Sequence, residues 1–329
     1  MLISINAFLQ KIMPFITPLG VIMGIVFSKD LYTFVFWVPW IFAFMTLAGS
    51  LNSSFQDLKR VFFHPLPMFV CLGILHIVMP LLAFAAGEIF FHHDLYTRIG
   101  LILSFLIPTG ITSLVWVFIY SGNSILTLSI ILLDTLLSPF MVPLVLFLFV
   151  GTAVEMNSAD IMKGLFFLIV IPSVFGMLIN QFSKGKIPEK VSPFFSPFSK
   201  IAIGVVVAIN SSAIAPYLKS LSASLLSIGI VVFILAMSSY FIGFLAAKIL
   251  KADAPSSVSL TYNSGMRNIS AGAVLAITYF PIQVSVPVVA GMLFQQILAA
   301  FTGGMLHKFY LSSNNQDKEN LSYEKTLTK

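Results

Sequence analysis

Ten runs of mostly apolar residues, each long enough to cross a bilayer, follow one another along the chain. They lie near 5–27, 31–51, 66–90, 98–120, 124–150, 160–182, 199–217, 221–249, 254–279 and 283–308. A transmembrane helix needs about 20 such residues to bridge a hydrocarbon core of about 30 Å. Backbone in lipid must satisfy its own hydrogen bonds, which leaves helices and closed barrels as spanning structures. Runs this long predict helices, so the expected fold is an all-α polytopic membrane protein with ten transmembrane helices. Only 9% of the 329 residues are charged, against about 25% in soluble domains. That is too few to coat a water-soluble protein of this size. It excludes a cytosolic enzyme, a disordered chain and a secreted disulfide scaffold. One cysteine, Cys71, leaves no intrachain disulfide or cysteine cluster. In its apolar run, away from the helix breaks described below, it reads as a small core residue. The first run is expected to remain as a helix, because Lys11 interrupts its apolar start and no small-residue cleavage site follows.

The placement of charge predicts the orientation. With ten spans the two termini share a side, and that side collects thirteen basic residues against four opposite, with Arg267 inside a span. Acidic residues are nearly balanced, with Asp134 inside a span. Basic loops face the cytoplasm, so both termini are expected there, in a multi-pass protein of the cell membrane. The net charge of +6 is thereby explained by topology, and no nucleic-acid partner is implied. Residues 310–329 form a polar, charged cytoplasmic tail, expected to fray.

Ten spans with both ends on one side allow two five-helix repeats of inverted orientation, 1–150 and 151–309. Spans four and nine support this, since each carries a helix-breaking polar interruption at a similar place. Span four reads LIPTGITSLVW and span nine reads TYNSGMRNISAG. Setting Gly110 on Gly265 also places Ser113 on Asn268. Unpaired backbone costs several kcal/mol in hydrocarbon, so such breaks must line protein or water. They also bring helix N-termini, which attract anions, and C-termini, which attract cations, to the midplane. Two breaks in matching halves therefore point to a substrate site.

Three polar positions deep in the spans are candidates for it. Arg267 lies about thirteen residues from either end of span nine, roughly 20 Å at 1.5 Å per residue. Asp134 lies about ten residues into span five, near 15 Å, on one face with Thr127 and Ser138. Mutual pairing would neutralise both charges, and that pair is the expectation. His76, in span three beside Met79 and Pro80, is either a satisfied core histidine or part of the site. His92, His93 and Asp94 fall in an outside loop without further ligands at suitable spacing, so a solvated loop and no metal site are expected. The chain has no zinc-protease, P-loop or nucleophile-elbow motif, and no nucleophile with a base. An enzyme is not expected, and no cofactor is implied.

Four stretches resemble the bile acid:sodium symporter family: SLNSSFQDLKRVFFHPLPM after span two, HIVMPLLAFAAGE in span three, GNSILTLSIILLDTLLSPFMVP in span five and NSGMRNISAGAVLA in span nine. The resemblance covers roughly residues 10–308. It implies a panel domain of spans one, two, six and seven, and a core domain of spans three to five and eight to ten. It further implies that discontinuous spans four and nine cross at the substrate and ion sites. Several sodium-site positions depart from the family pattern. Asn263 stands at a carboxylate position and Arg267 at a glutamine position; Ser113 is followed by Leu114; Thr127 remains, but its partner hydroxyl becomes Ile131. A fixed guanidinium repels sodium strongly at low dielectric.

These features together predict a secondary transporter moving a small organic anion across the lipid bilayer by alternating access. Arg267 is the expected anion or counter-charge residue. Asn263, Ser264, Asn268, Thr109, Thr112 and Ser113 are expected to line the crossover, with Thr127 nearby. Asp134 is the expected partner of Arg267 and a candidate proton carrier. The coupling ion is sodium or a proton. The alternative is a proton-coupled or uncoupled carrier of the same fold, resembling auxin-efflux carriers, with Arg267 replacing bound sodium.

Overall fold

The computed structural model describes residues 2–51, 53–54, 65–151, 157–219 and 223–327, and is all-helical among them. Eleven residues of the first family-like stretch (52 and 55–64) and part of the loop from Glu155 to Lys163 lie outside the described residues. The helices are α1 (Leu2–Val26), α2 (Ser28–Ser50), α3 (Pro65–Phe90), α4 (Leu95–Leu106), α5 (Thr112–Ile119), α6 (Ser124–Val150), α7 (Ser158–Ser183), α8 (Lys186–Lys219), α9 (Ala223–Ile249), α10 (Ala254–Gly265), α11 (Ile269–Tyr279) and α12 (Ser285–Leu327). Seven are long and apolar enough to cross a membrane: α2, α3, α6, α7, α8, α9 and the stretch Ile282–Leu306 that carries α12. Phe15–Val26 of α1 and all of α4 are shorter apolar helices.

Each of the ten apolar runs is thus helical, but runs four and nine are each split into two helices. Pro108 explains the first split. The residue before a proline is pushed out of the helical region, and Ile107 accordingly sits at φ −57°, ψ 141°. Run nine has no proline at its break. Gly265 ends α10 where a side chain would run into the Tyr240 ring, and Met266 is extended at φ −99°, ψ 137°. Side-chain caps restart or begin the helices: Asp94 accepts from Thr97 N, Asn123 from Leu126 N, Asp253 from Ser256 N and Asn268 from Ala271 N. Each supplies an acceptor for an otherwise orphaned first-turn N–H. The backbone of α12 continues as helix through the polar tail to Leu327.

α1, α2, α7 and α8 pack against one another, and α3, α4, α6, α9, α10 and α12 form a second set around the split helices. α1 shows how sequence periodicity divides the faces. Phe15, Leu19, Ile22 and Val26 are exposed, while Thr17 and Val21 are buried. Gly20 lets α1 approach α8 closely, since a Cβ there would stand 2.9 Å from Gly204 O. An exterior this apolar suits lipid and not water.

Candidate substrate and ion site at two broken helices

The two breaks touch. Asn268 N donates to Pro108 O at 2.8 Å, and Thr109 Oγ1 donates to Met266 O at 3.0 Å. Four helix ends therefore meet: the C-termini of α4 and α10 and the N-termini of α5 and α11. The first pair leaves orphan carbonyls with partial negative charge, and the second leaves orphan N–H groups with partial positive charge.

Arg267 serves the negative ends. Its Nε donates to Phe105 O at 3.2 Å, Nη1 to Ser264 O at 2.6 Å and Met266 O at 3.3 Å, and Nη2 to Ser239 Oγ at 3.4 Å. The residue is 2% exposed, so these carbonyls and one hydroxyl replace water around the guanidinium. The Ser239 hydroxyl also donates to Ser264 O, and Arg267 N donates to Gln295 Oε1 at 3.0 Å.

The expected Arg267–Asp134 pair does not form. Asp134, fully buried on α6, holds His76 instead, with Oδ1 2.7 Å from His76 Nε2. Its Oδ2 accepts the Thr109 N–H at 2.6 Å. The physical reason lies in the breaks. Pro108 frees a backbone donor beside the carboxylate, while the ends of α4 and α10 offer the arginine a ring of acceptors. Each charge is satisfied by the break it faces. His76 is thereby drawn into the site. It lies in a π-helical turn, Ile74–Val78, of α3, and such turns are frequent at functional positions.

Behind the crossing, Asn263 Nδ2 donates to Thr127 Oγ1 at 3.0 Å and to Ser259 O at 2.8 Å, while Oδ1 accepts from Ser113 Oγ at 3.1 Å. A carbonyl only accepts, so Ser259 O requires the amide nitrogen on its side. Ser113, Thr127 and Asn263 are all fully buried. The amide N–H groups thus occupy oxygens that a cation would need, and Leu114 and Ile131 add none. Ser264 meets Cys71, with Oγ 3.6 Å from Sγ. Cys71 therefore touches the break of run nine, contrary to the sequence expectation; packing of α3 on α10 brings it there.

A cavity of about 140 Å³ lies in front of the crossing, between the two helix sets. One wall is α1, α2, α7 and α8; the other is the two breaks, α6 and α12. Ile111 and Thr112 from the start of α5, and Ile269 and Ser270 from the start of α11, line it, so both positive helix ends open into it. Among the described residues of the lining, Arg267 is the one ionisable residue. Of the ten expected site residues, Thr109, Thr112, Asn268 and Arg267 line the cavity. Asn263, Ser264, Ser113, Thr127, Asp134 and His76 sit behind it and fix the breaks. Thr17, Ser199, Thr135 and Gln295 also line it and were missed. Thr17 Oγ1 and Ser199 Oγ are buried without a hydrogen-bond partner among the described residues, which leaves two hydroxyls for a bound molecule or water. The only sequence signal for them was a polar side chain within an apolar run.

The Sodium Bile acid symporter family matches residues 39–221 of the chain. The chain is 52% identical over 299 residues to "Uncharacterized protein YbaS" of Bacillus subtilis (strain 168), covering 91% of this chain and 98% of that protein. It is 27% identical over 287 residues to "Uncharacterized sodium-dependent transporter YocS" of the same organism, covering 85% and 88%. It is 26% identical over 238 residues to "Probable sodium/metabolite cotransporter BASS1, chloroplastic" of Oryza sativa subsp. japonica, covering 72% and 57%.

Proposed function

The chain belongs to the sodium bile acid symporter family, and from that premise we propose that it is a secondary carrier moving a small organic anion across the cell membrane by alternating access. It is a multi-pass membrane transporter and not an enzyme. The single observation that carries the anion reading is the cavity between the two helix sets, into which the N-termini of both α5 and α11 open. Oriented N–H groups with the helix dipoles behind them form an anion site without any fixed cation. Among the described residues, no carboxylate lines this cavity to oppose it.

In this reading ten spans form two inverted five-helix repeats, 1–150 and 151–309, with both termini in the cytoplasm. α1, α2, α7 and α8 act as a panel against which the remaining helices rock. The breaks then face the two sides of the membrane in turn. Arg267 is a tethered counter-charge for the C-termini of α4 and α10, where a bound cation would otherwise serve. Its Nε, Nη1 and Nη2 atoms all donate within the protein, to three carbonyls and the Ser239 hydroxyl, so the anion is held by the helix N-termini, Asn268 and the hydroxyls of Thr17 and Ser199. Two relatives carry sodium in their names. This chain places a guanidinium and a carboxamide at the family's sodium positions, and its transport does not draw on sodium.

Purified protein in liposomes tests the reading. A thermal-shift screen of organic acids finds the anion, because a ligand of the folded state raises its stability by mass action. Uptake above the outside concentration, driven by an ion gradient, is expected. High flux without a gradient would mean a pore, and a chemically altered substrate would mean an enzyme; either overturns the proposal.

A further inference from the structure

We infer that the His76–Asp134 pair is a proton-binding site, and that a proton taken up there accompanies the anion through the carrier. The inference rests on the carrier reading above and adds to it the identity of the coupling ion.

The geometry leaves one position for the proton. With Nε2–H donated to Asp134 Oδ1 at 2.7 Å, a neutral His76 turns a bare Nδ1 lone pair into the interior. That Nδ1 is buried and has no hydrogen-bond partner among the described residues. A proton delivered by hydronium adds there to give the imidazolium and leaves water. The hydronium O–H bond breaks as the Nδ1–H bond forms, the bonds within the protein stay intact, and the existing contact becomes charge-assisted. Asp134 Oδ2 keeps the Thr109 N–H at 2.6 Å throughout. Thr109 also lines the cavity and bonds across to Met266 O. Proton and anion therefore share one residue, at the point where the two breaks are joined.

Charge balance points the same way. Arg267, Asp134 and neutral His76 sum to zero, so the empty carrier holds no net buried charge at the crossing. A monoanion alone would leave one negative charge in a low-dielectric interior, which is costly. A proton on His76 restores neutrality to the loaded form. The other groups facing the pair do not alter this sum. Cys71 on α3 and Arg267 at the run-nine break lie within electrostatic reach of Asp134, and Tyr240 on α9 lies within reach of Arg267. Arg98 on α4 is paired with Glu88, and Lys248 on α9 sits over the rings of Phe244 and Phe309.

The test uses the proton itself as probe. Liposomes carrying the purified full-length protein are adsorbed on a solid-supported membrane and the solution is stepped from about pH 8 to about pH 6, across the usual histidine range. With no substrate present, a transient charge displacement is expected, and a sodium step at constant pH should give none. His76→Gln keeps a donor for Asp134 but cannot titrate, and it should abolish the displacement; His92→Gln, in the exposed loop, should not change it. A displacement of equal size in His76→Gln, or one driven by sodium, overturns the inference.

A second measurement guards against a variant that fails to fold. Replacing His64, His92, His93 and His307 by Gln leaves His76 as the sole histidine of the five. Its 15N spectrum should show the Nδ1 signal moving from an unprotonated to a protonated ring as the pH falls. An unchanged ring across the same range overturns the inference. Anion steps separate the two levels of the argument. Anion currents that ignore pH and survive His76→Gln sink the proton site and leave the carrier standing. Proton displacement without a response to any organic anion supports the site and sinks the carrier.

Discussion

Replacing Arg267 by Met removes one partner from a buried polar network and leaves the side-chain volume nearly unchanged. Three backbone carbonyls, of Phe105, Ser264 and Met266, lose a charged donor. Ser264 O keeps the Ser239 hydroxyl, but Phe105 O has no second donor in the network described. A hydrogen bond to a charged group contributes about 1.5–3 kcal/mol, and these three share one guanidinium, so they do not add fully. Relief of the guanidinium's own desolvation cost offsets part of the loss. The expected net destabilisation is about 3–5 kcal/mol, the usual range for removing one partner of a buried charged group. At about 2–4 °C per kcal/mol for a chain of roughly this size, the apparent melting temperature should fall by about 10 °C. The vacated position remains a ring of carbonyls at two negative helix ends, so a small cation should bind there. Methylguanidinium or sodium at about 100 times its dissociation constant would return about 2.7 kcal/mol. Melting curves of both proteins, with and without these cations, measure both effects. The counter-charge argument is refuted if Arg267→Met melts like the parent, or if the cations stabilise the parent as much as the variant.

Four further outcomes are expected. In a double-mutant cycle on thermal stability, His76→Leu and Asp134→Leu should each cost about 3–5 kcal/mol and the pair should cost much less than their total; additive losses would show that the two residues are not coupled. Anion affinities measured in sodium and in potassium should coincide, and a tenfold difference, about 1.4 kcal/mol, would contradict the closed Ser113–Asn263–Thr127 cluster. Thr17→Val and Ser199→Ala should weaken anion binding with no loss of melting temperature, because neither hydroxyl has a partner among the described residues; unchanged binding would remove these hydroxyls from the site. Reporter tags at either terminus should be shielded in intact cells, and a tag reached from outside would overturn the charge-based topology.

Much of the architecture is legible in the chain because lipid imposes one rule, that spanning backbone be helical. The apolar runs and the break at Pro108 follow from that rule and from local backbone preference; the second break falls at Met266–Asn268, just after the Asn263–Gly265 stretch that signals it, which itself stays helical. The partners of the buried charges do not. Depth and charge made Arg267 and Asp134 look complementary, but partner choice depends on how α6 is rotated and on which backbone groups the breaks release. Those released groups, the Thr109 N–H and the carbonyls of Phe105 and Ser264, outcompeted the obvious ion pair. His76 carried no periodic signal strong enough to separate a core histidine from a site residue. Cys71 lies nearly 200 residues from Ser264 in sequence, and only the packing of α3 on α10 joins them. The Thr17 and Ser199 hydroxyls read like any polar residue in an apolar helix until the opposite wall of the cavity is in place.

The nature of the counter-charge bears on how such a carrier can do work. A bound sodium ion stabilises the helix C-termini and can also leave, so its gradient drives transport. Arg267 stabilises the same ends but is tethered, and a charge that never leaves the protein draws no energy from any gradient. A chain with this arginine must therefore either equilibrate its substrate or couple it to a group whose charge changes during the cycle. Among the described residues at the crossing, the His76–Asp134 pair offers such a group, a buried ring nitrogen without a hydrogen-bond partner. It is held by the same Thr109 amide that forms the floor of the cavity. Replacing a mobile ion by a fixed one thus moves the burden of coupling from the sodium positions to His76 and Asp134.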